Sequence, residues 1–287
     1  MFINAQTKIY LLLGSPVSHS LSPLLQNTAF LNLDLNAVYL ACDVSREKIV
    51  DAIKGIKALS VAGFNVTSPL KEAVIPFLDS LSAEAEVISS VNTVVNRNGM
   101  LYGLSTDGYG FIQSLADLPV DIVSDRPALV IGTGGAARAV ALAMAKSSFS
   151  TILITGRDYD KASHLANLCQ LHSKACCSAV VYSKQELKKV ISNCSFIVYC
   201  LPVDSFTVHE ALGRHPVMEQ KIVLYDLRYS PAITPVMKKF QDCGGYAVNG
   251  SGMLFWQGVK AFEEFTGKGA PVKIMQEAFK NILERSR

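Results

Sequence analysis

The chain has 287 residues, of which 49% are hydrophobic and 18% charged, with a formal net charge of +3. That length suits two domains of ordinary size, and the apolar share excludes wholesale disorder. So small a charge, without a Lys/Arg run or aromatic–basic alternation, points away from nucleic acid and suits a small acidic ligand.

In chain order, Lys8–Leu13 reads as a buried strand. It is too short for a signal-peptide core or a membrane span, and Gly14-Ser15-Pro16 breaks it, so no membrane segment is expected. An amphipathic helix over Pro23–Leu33 follows, with Ser22 as its cap and Pro23 in its first turn. Ala37–Val44 is expected to be a strand, Arg46–Leu59 a helix and Val61–Val66 a strand. A new helix is expected from Pro69 behind a Thr67/Ser68 cap. Val91–Asn96 and Met100–Leu104 flank Arg97-Asn98-Gly99, a hairpin signal because Asn-Gly accepts positive φ.

A second series of strands begins near Pro127: Ala128–Ile131, Thr151–Thr155, Ala179–Tyr182, Ser195–Tyr199 and Ile222–Asp226. Helical patterns lie between most of them, the alternation of an α/β layer fold. From Ser251 the tail reads as two helices separated by a break at Gly267–Pro271. The domain boundary falls in Asp107–Pro127, with a second crossing near Gly244-Gly245.

Seven cysteines, an odd number with no CxxC pair, suit a reducing cytoplasm. Part of the group His164, Cys169, His172, Cys176 and Cys177 could face one way on a helix and bind metal. The favoured explanation is a helix end followed by a small buried strand, Cys176–Val181, with cysteine as a small apolar residue. No tight ligand pair frames it, and no metal is expected.

Gly132-Thr133-Gly134-Gly135-Ala136-Ala137 carries G-x-G-x-x-A between an apolar β-like run and an Ala-rich helix pattern. Gly132 permits a tight turn, Gly134 lets backbone approach a pyrophosphate, and Ala137 allows close helix–strand packing. The amides at the helix start then face phosphate charge. A glycine-rich turn without a ligand is the plainer alternative. Some twenty residues on, Arg157 and Lys161 suit a 2′-phosphate, while Asp158 suits a free ribose. The balance favours NADP and leaves NAD open.

Polar residues recur in the first half where a core would do without them: Ser20, Ser22, Asn65, Thr67, Lys71, Asn92 and Asp107. Each has an ordinary explanation as a cap, strand end or turn residue. Together they resemble the shikimate dehydrogenase family, through Ser-x-Ser-Pro (Ser20–Pro23), Asn-Val-Thr-x-Pro-x-Lys (Asn65–Lys71) and Val-Asn-Thr (Val91–Thr93). Thr-Asp-x-x-Gly (Thr106–Gly110), Gly-x-Gly-Gly-Ala (Gly132–Ala136) and Gly-x-Gly-Met-Leu-x-x-Gln (Gly250–Gln257) follow in the family's order. Tyr229 matches a further position, and the resemblance runs from Gly14 to about Gly267.

The resemblance implies two domains: an N-terminal α/β substrate domain over 1–107, completed by C-terminal helices over 245–287, and a Rossmann-type parallel-sheet domain over 108–244. It implies reversible reduction of 3-dehydroshikimate to shikimate, with NADP as cofactor and a small cyclic acid as substrate, and with neither nucleic acid nor membrane as a partner. The implied catalytic pair is Lys71 and Asp107, with substrate contacts from Ser20, Ser22, Asn65, Thr67, Asn92, Tyr229 and Gln257. Gly132, Gly134, Gly135, Ala136, Ala137, Arg157 and Lys161 are expected at the cofactor, which Gly250 and Met253 approach at the nicotinamide. A lysine in the first turn of a helix would have its charge disfavoured by the helix dipole and favoured by Asp107.

The chain departs from the family pattern at Gln26, Ser105 and Gly156, and most of all over Tyr199–Val203, a loop beside the cofactor. These departures keep two alternatives in view: a quinate/shikimate dehydrogenase accepting NAD, and a shikimate-binding regulatory protein without turnover. A monomer and a homodimer fit the sequence equally well.

Overall fold

The computed structural model describes residues 3–120, 122, 125–212 and 222–285. The chain packs as two compact units, Met1–Gly110 with Phe255–Arg287, and Phe111–Leu254.

The first unit opens with strand β1 (Lys8–Gly14), helix α1 (Ser22–Asn32), β2 (Ala37–Asp43), α2 (Ile49–Ala58) and β3 (Gly63–Val66). It continues through β4 (Ser80–Leu81), α3 (Ala83–Ile88), β5 (Thr93–Arg97), β6 (Met100–Leu104) and the start of α4 (Asp107–Ala116). The strands form a mixed sheet in the order β2-β1-β3-β5-β6-β4. Its centre is parallel across β2, β1 and β3, and turns antiparallel at β5 and β6. Ile49, Ile53 and Ile56 lie on one face of α2, the spacing of an amphipathic helix, and join Phe64, Leu70, Val74 and Leu101 in the core. Asn98 (φ 55°) and Gly99 (φ 91°) close the β5–β6 hairpin with two positive φ angles, the geometry that Asn-Gly anticipates.

Two local expectations fail in this unit. No helix starts at Pro69: the segment is a series of turns ending in a 3-10 turn at Ile75–Phe77. The reason is a competing bond, because Val91 N donates to Lys71 O at 2.9 Å, taking the carbonyl that Ile75 would use in a helix. Ile75 N turns instead to Glu72 O at 3.2 Å. Ser22 does not cap α1 either; it is the first residue of the helix, and its amide donates to Ser20 Oγ at 3.2 Å.

The second unit contains β7 (Ala128–Ile131), α5 (Gly135–Ala145), β8 (Thr151–Gly156), α6 (Tyr159–Leu171), β9 (Cys176–Val181) and α7 (Lys184–Ile191). After these come β10 (Phe196–Tyr199), α8 (Phe206–Ala211), β11 (Val223–Asp226), α9 (Pro235–Asp242) and β12 (Tyr246–Asn249). Every pairing is parallel, in the order β12-β11-β10-β7-β8-β9, that of a doubly wound dinucleotide-binding sheet. β7, β10 and β11 are buried at every position, as befits strands covered on both faces. β9 is an edge strand with Cys176 exposed, which corrects the expectation of a buried one. Because β12 pairs with β11, the chain stays in this unit beyond Gly244-Gly245, as far as Leu254.

Helices α10 (Ser251–Thr266) and α11 (Val272–Arg285) follow, separated by Gly267 at φ 67°. Within the first unit, Phe265 of α10 lies 5.0 Å from Tyr10 and Phe262 lies 5.6 Å from Phe30, while α11 packs on α1. The tail helices therefore complete the core of the first unit. Among the described residues no helix is long and apolar enough to cross a membrane.

Candidate active site

In the first unit the residues after β1, β3 and β6, with Asn92 just before β5, bring a set of polar side chains together. Lys71 Nζ lies 2.5 Å from Asp107 Oδ2, with side chains 18% and 5% exposed. Asp107 opens α4, where its negative charge complements the partial positive charge of the helix start. The dipole thus acts on the aspartate and not, as the sequence suggested, on the lysine.

Asn92 Nδ2 donates to Asp107 Oδ1 and to Thr106 Oγ1, both at 2.9 Å, and lies 3.2 Å from Gln257 Oε1. With only two hydrogens on that nitrogen, the longer Gln257 contact is the shared one. The Asn92 oxygen accepts from Thr106 N at 2.8 Å and from Thr93 Oγ1 at 3.0 Å. Asn65 plays a supporting part. It accepts from Tyr39 Oη at 2.7 Å and donates to Asn92 O at 3.0 Å and to Thr93 Oγ1 at 2.9 Å. Buried polar groups that are satisfied in this way fix a geometry instead of weakening the core.

Thr67 is half-buried against Gly14, where any side chain would collide with it: a Cβ there would stand 2.3 Å from Thr67 Cγ2. Ser20 is likewise half-buried and Ser22 buried. Gln26 is buried and donates to Gly258 O at 2.8 Å, bracing α10 one residue from Gln257, while its Oε1 has no hydrogen-bond partner among the described residues. Tyr229 belongs to the second unit; it is half-buried, and burial pushes its phenol up.

In the second unit Gly132 adopts φ 128°, and a Cβ there would meet Cys200 Cβ at 3.1 Å, so the turn demands glycine. Gly134 is the N-cap of α5, and a Cβ built on it has no described atom within 4 Å. That bare cap, followed by the amides of Gly135 and Ala136, fits a pyrophosphate. Ala137 is buried against the sheet. Arg157 is exposed just after β8, and Lys161 is exposed in the first turn of α6. Asp158 caps α6 by accepting from Lys161 N at 3.1 Å, and its carboxylate lies 3.5 Å from Lys161 Nζ. The Lys161 amide, more than the Lys161 charge, holds this carboxyl below its ordinary range.

Gly250 presses its backbone on Leu227, whose carbonyl oxygen would stand 2.0 Å from a Cβ. Met253 N donates to Tyr225 Oη at 3.1 Å, and that phenol shares a 2.9 Å bond with Ser114 Oγ. Burial, the largest influence on Tyr225, pushes it up to about 12. Among the described residues no group of three or more His, Cys, Asp or Glu is placed to hold a metal ion.

Three family models match the chain: the shikimate dehydrogenase substrate binding domain over residues 12–94, shikimate / quinate 5-dehydrogenase over 114–250, and the shikimate 5′-dehydrogenase C-terminal domain over 250–278. The shikimate dehydrogenase (NADP(+)) of Carboxydothermus hydrogenoformans is 39% identical over 289 residues, 97% of this chain and 98% of that protein. The chain belongs to the shikimate dehydrogenase family. A solved shikimate dehydrogenase in complex with NADP+ superposes with a TM-score of 0.82 at 33% identity, covering 98% of both chains. Shikimate 5-dehydrogenase from Listeria monocytogenes, solved in complex with shikimate and NAD, gives 0.79 at 31%, covering 96% of this chain and 97% of that one.

Several functional supports escaped the sequence reading. Tyr39 holds Asn65 from β2 across the intervening β1, and Tyr225 holds Met253. The available signal was general: a tyrosine in an otherwise apolar strand needs a partner for its hydroxyl.

Proposed function

We propose that this family member catalyses the NADP-linked, reversible reduction of 3-dehydroshikimate to shikimate. The observation that carries the reading is the chain Lys71–Asp107–Asn92, a lysine ion pair braced by a buried amide. When bound, the reduced dinucleotide supplies a hydride to the ketone carbon. Lys71 donates a proton to the ketone oxygen as negative charge develops there. Asp107 holds the ammonium in place, and Asn92 holds Asp107. Ser20, Ser22, Thr67 and Gln257 offer short donors and acceptors to a hydroxylated ring, and because leaving any of them unpaired is costly they confer selectivity. Asn92, its amide committed to Asp107, Thr106 and Thr93, acts through Asp107. Asn65 acts through Asn92, its amide being committed to Tyr39, Asn92 and Thr93. The role of Tyr229 at the substrate rests on the family motif.

The bare Gly134 cap and the Gly132 turn support dinucleotide binding, and the exposed Arg157 and Lys161 support a 2′-phosphate. Asp158, ion-paired with Lys161, favours a second reading in which NAD is also accepted. All seven cysteines are free, which supports a reducing compartment such as the cytoplasm.

The test is turnover of shikimate and of quinate, each with NADP⁺ and NAD⁺, followed by absorbance of the reduced nicotinamide. Shikimate turnover with NADP⁺, lost in Lys71→Ala, is expected. Preference for quinate or NAD⁺ moves the protein to the second reading, and shikimate binding without turnover makes it a sensor.

A further inference from the structure

In the parallel sheet the strand order reverses between β7 and β10, the switch point where such sheets receive ligands at their carboxyl ends. One wall there is the Gly132 turn. The other is the loop Cys200–Ser205, which meets Gly132 directly at Cys200 and is tied to it by the bond from Cys200 N to Ile131 O at 2.9 Å. This loop departs most from the family pattern, and the structure shows what holds it.

Arg228 lies at the centre. Its guanidinium donates to both oxygens of the fully buried Asp226, with Nη2–Oδ2 at 2.7 Å, and from the same Nη2 to Asp204 Oδ1 at 3.1 Å. It also lies over the ring of Tyr199, 5.1 Å from the centroid. Tyr199 Oη in turn donates to Val203 O at 2.8 Å, and Tyr182 Oη bonds Ser205 Oγ. Thr234 Oγ1 donates to Asp226 Oδ2 at 2.6 Å, fixing the far side of the fork. The Arg228 backbone reaches a third part of the same region, since its carbonyl accepts from Gly250 N at 2.9 Å. Burial opposes the Arg228 charge, but the Asp226 and Asp204 carboxylates outweigh it.

We propose that Arg228 is a positioning residue for the dinucleotide: its fork onto Asp226 and Asp204 latches the Cys200–Ser205 loop as the second wall of the crevice at Gly132. The inference rests on the dinucleotide reading of this unit. The latch needs arginine, because only a planar fork stacks on Tyr199 while serving two carboxylates, and lysine carries a single point of charge. Asp204 is the arm that belongs to the loop itself. Its side chain is 34% exposed, so it can be changed without opening the core.

The experiment is NADP⁺ binding by fluorescence titration, independent of turnover, on the full chain and on the variants Asp204→Asn and Arg228→Lys, with shikimate KM and the melting temperature measured alongside. The proposal expects the NADP⁺ Kd to rise about tenfold in each variant. Shikimate KM should change less than about twofold, and Asp204→Asn, which loses one partly exposed ion pair, should melt within about 2 °C of the parent at neutral pH. An unchanged NADP⁺ Kd in Asp204→Asn and Arg228→Lys overturns the latch while leaving the dinucleotide reading intact. So does a parallel rise of NADP⁺ Kd and shikimate KM with a lowered melting temperature, which marks a purely structural role. Failure of the parent chain to bind NADP⁺ or NAD⁺ overturns the dinucleotide reading, and the latch with it.

Discussion

Asn92 Nδ2 donates to Asp107 Oδ1 at 2.9 Å, on the carboxylate oxygen that Lys71 does not occupy. The aspartate is therefore held from two sides, by an ammonium and by a buried amide. With its side chain 5% exposed, it has little freedom to follow either partner alone. Truncating Lys71 to Ala removes the proposed proton donor but leaves Asp107 bonded to Asn92. We expect kcat to fall by about 10³-fold with shikimate KM changed only a few-fold, as measured by steady-state kinetics. Equal losses in kcat and in binding would assign Lys71 to substrate binding.

Asn92→Ala tests the second anchor. It strips a donor from Asp107 and an acceptor from Thr106 N, both buried. Leaving buried partners unsatisfied costs about 1–3 kcal/mol, so the melting temperature should drop by roughly 3–8 °C. Turnover should fall about tenfold as Asp107 loses its fixed position, on the scale of a tenfold effect per 1.4 kcal/mol. A variant that melts with the parent and turns over at the parental rate would show that Asn92 does not position Asp107.

Most of the strands and the tail helices were legible from short apolar runs and their punctuation. The Asn98-Gly99 hairpin was legible because its two residues dictate their own backbone angles. The expected helix at Pro69 was not realised, because the bond that replaces it, Val91 N to Lys71 O, joins residues far apart in sequence. A cap-and-proline signal is local and cannot register that competition. The candidate site divides in the same way. Lys71 and Asp107 were readable from ordered motifs, whereas the Tyr39–Asn65 bond and the Arg228 fork depend on strand order, which no single segment encodes.

Asp158→Ser keeps a side-chain acceptor for the start of α6 while removing the charge that pairs with Lys161. Lys161 is then released toward a 2′-phosphate. The ratio of kcat/KM for NADP⁺ to that for NAD⁺ should rise about tenfold, and an unchanged ratio would remove Asp158 from cofactor choice.

Gly14→Ala is expected to act on the substrate side. Its Cβ would stand 2.3 Å from Thr67 Cγ2 and 3.0 Å from Ser68 O, so the segment carrying Thr67 must shift. Overpacking of this kind costs about 1–3 kcal/mol. Shikimate KM should rise while NADP⁺ KM holds; a rise in both would place the effect on the whole fold.

The Asp204 latch carries a pH signature. Burial lifts the Asp204 carboxyl, but the bond and charge of Arg228 outweigh it and hold the group below its ordinary value of 3.8. A depressed carboxyl stabilises the folded state above its unfolded pKa, and that contribution fades as pH falls through the lower, folded value. Thermal melts of the parent and Asp204→Asn should therefore differ by a constant amount near neutrality and converge in acid below about pH 4. A difference that stays constant down to acid unfolding would show that the carboxylate charge contributes nothing.

The bond from Val91 N to Lys71 O also makes the lysine observable from a distance. That single amide proton exchanges with solvent only when its bond to the Lys71 carbonyl opens. Deuterium uptake at Val91 thus reports how often that bond opens in the resting protein, without substrate or turnover. If ligands quiet that exchange, they do so by pinning the turn from which the ammonium hangs, and the slowing measures how far the resting protein was already prepared.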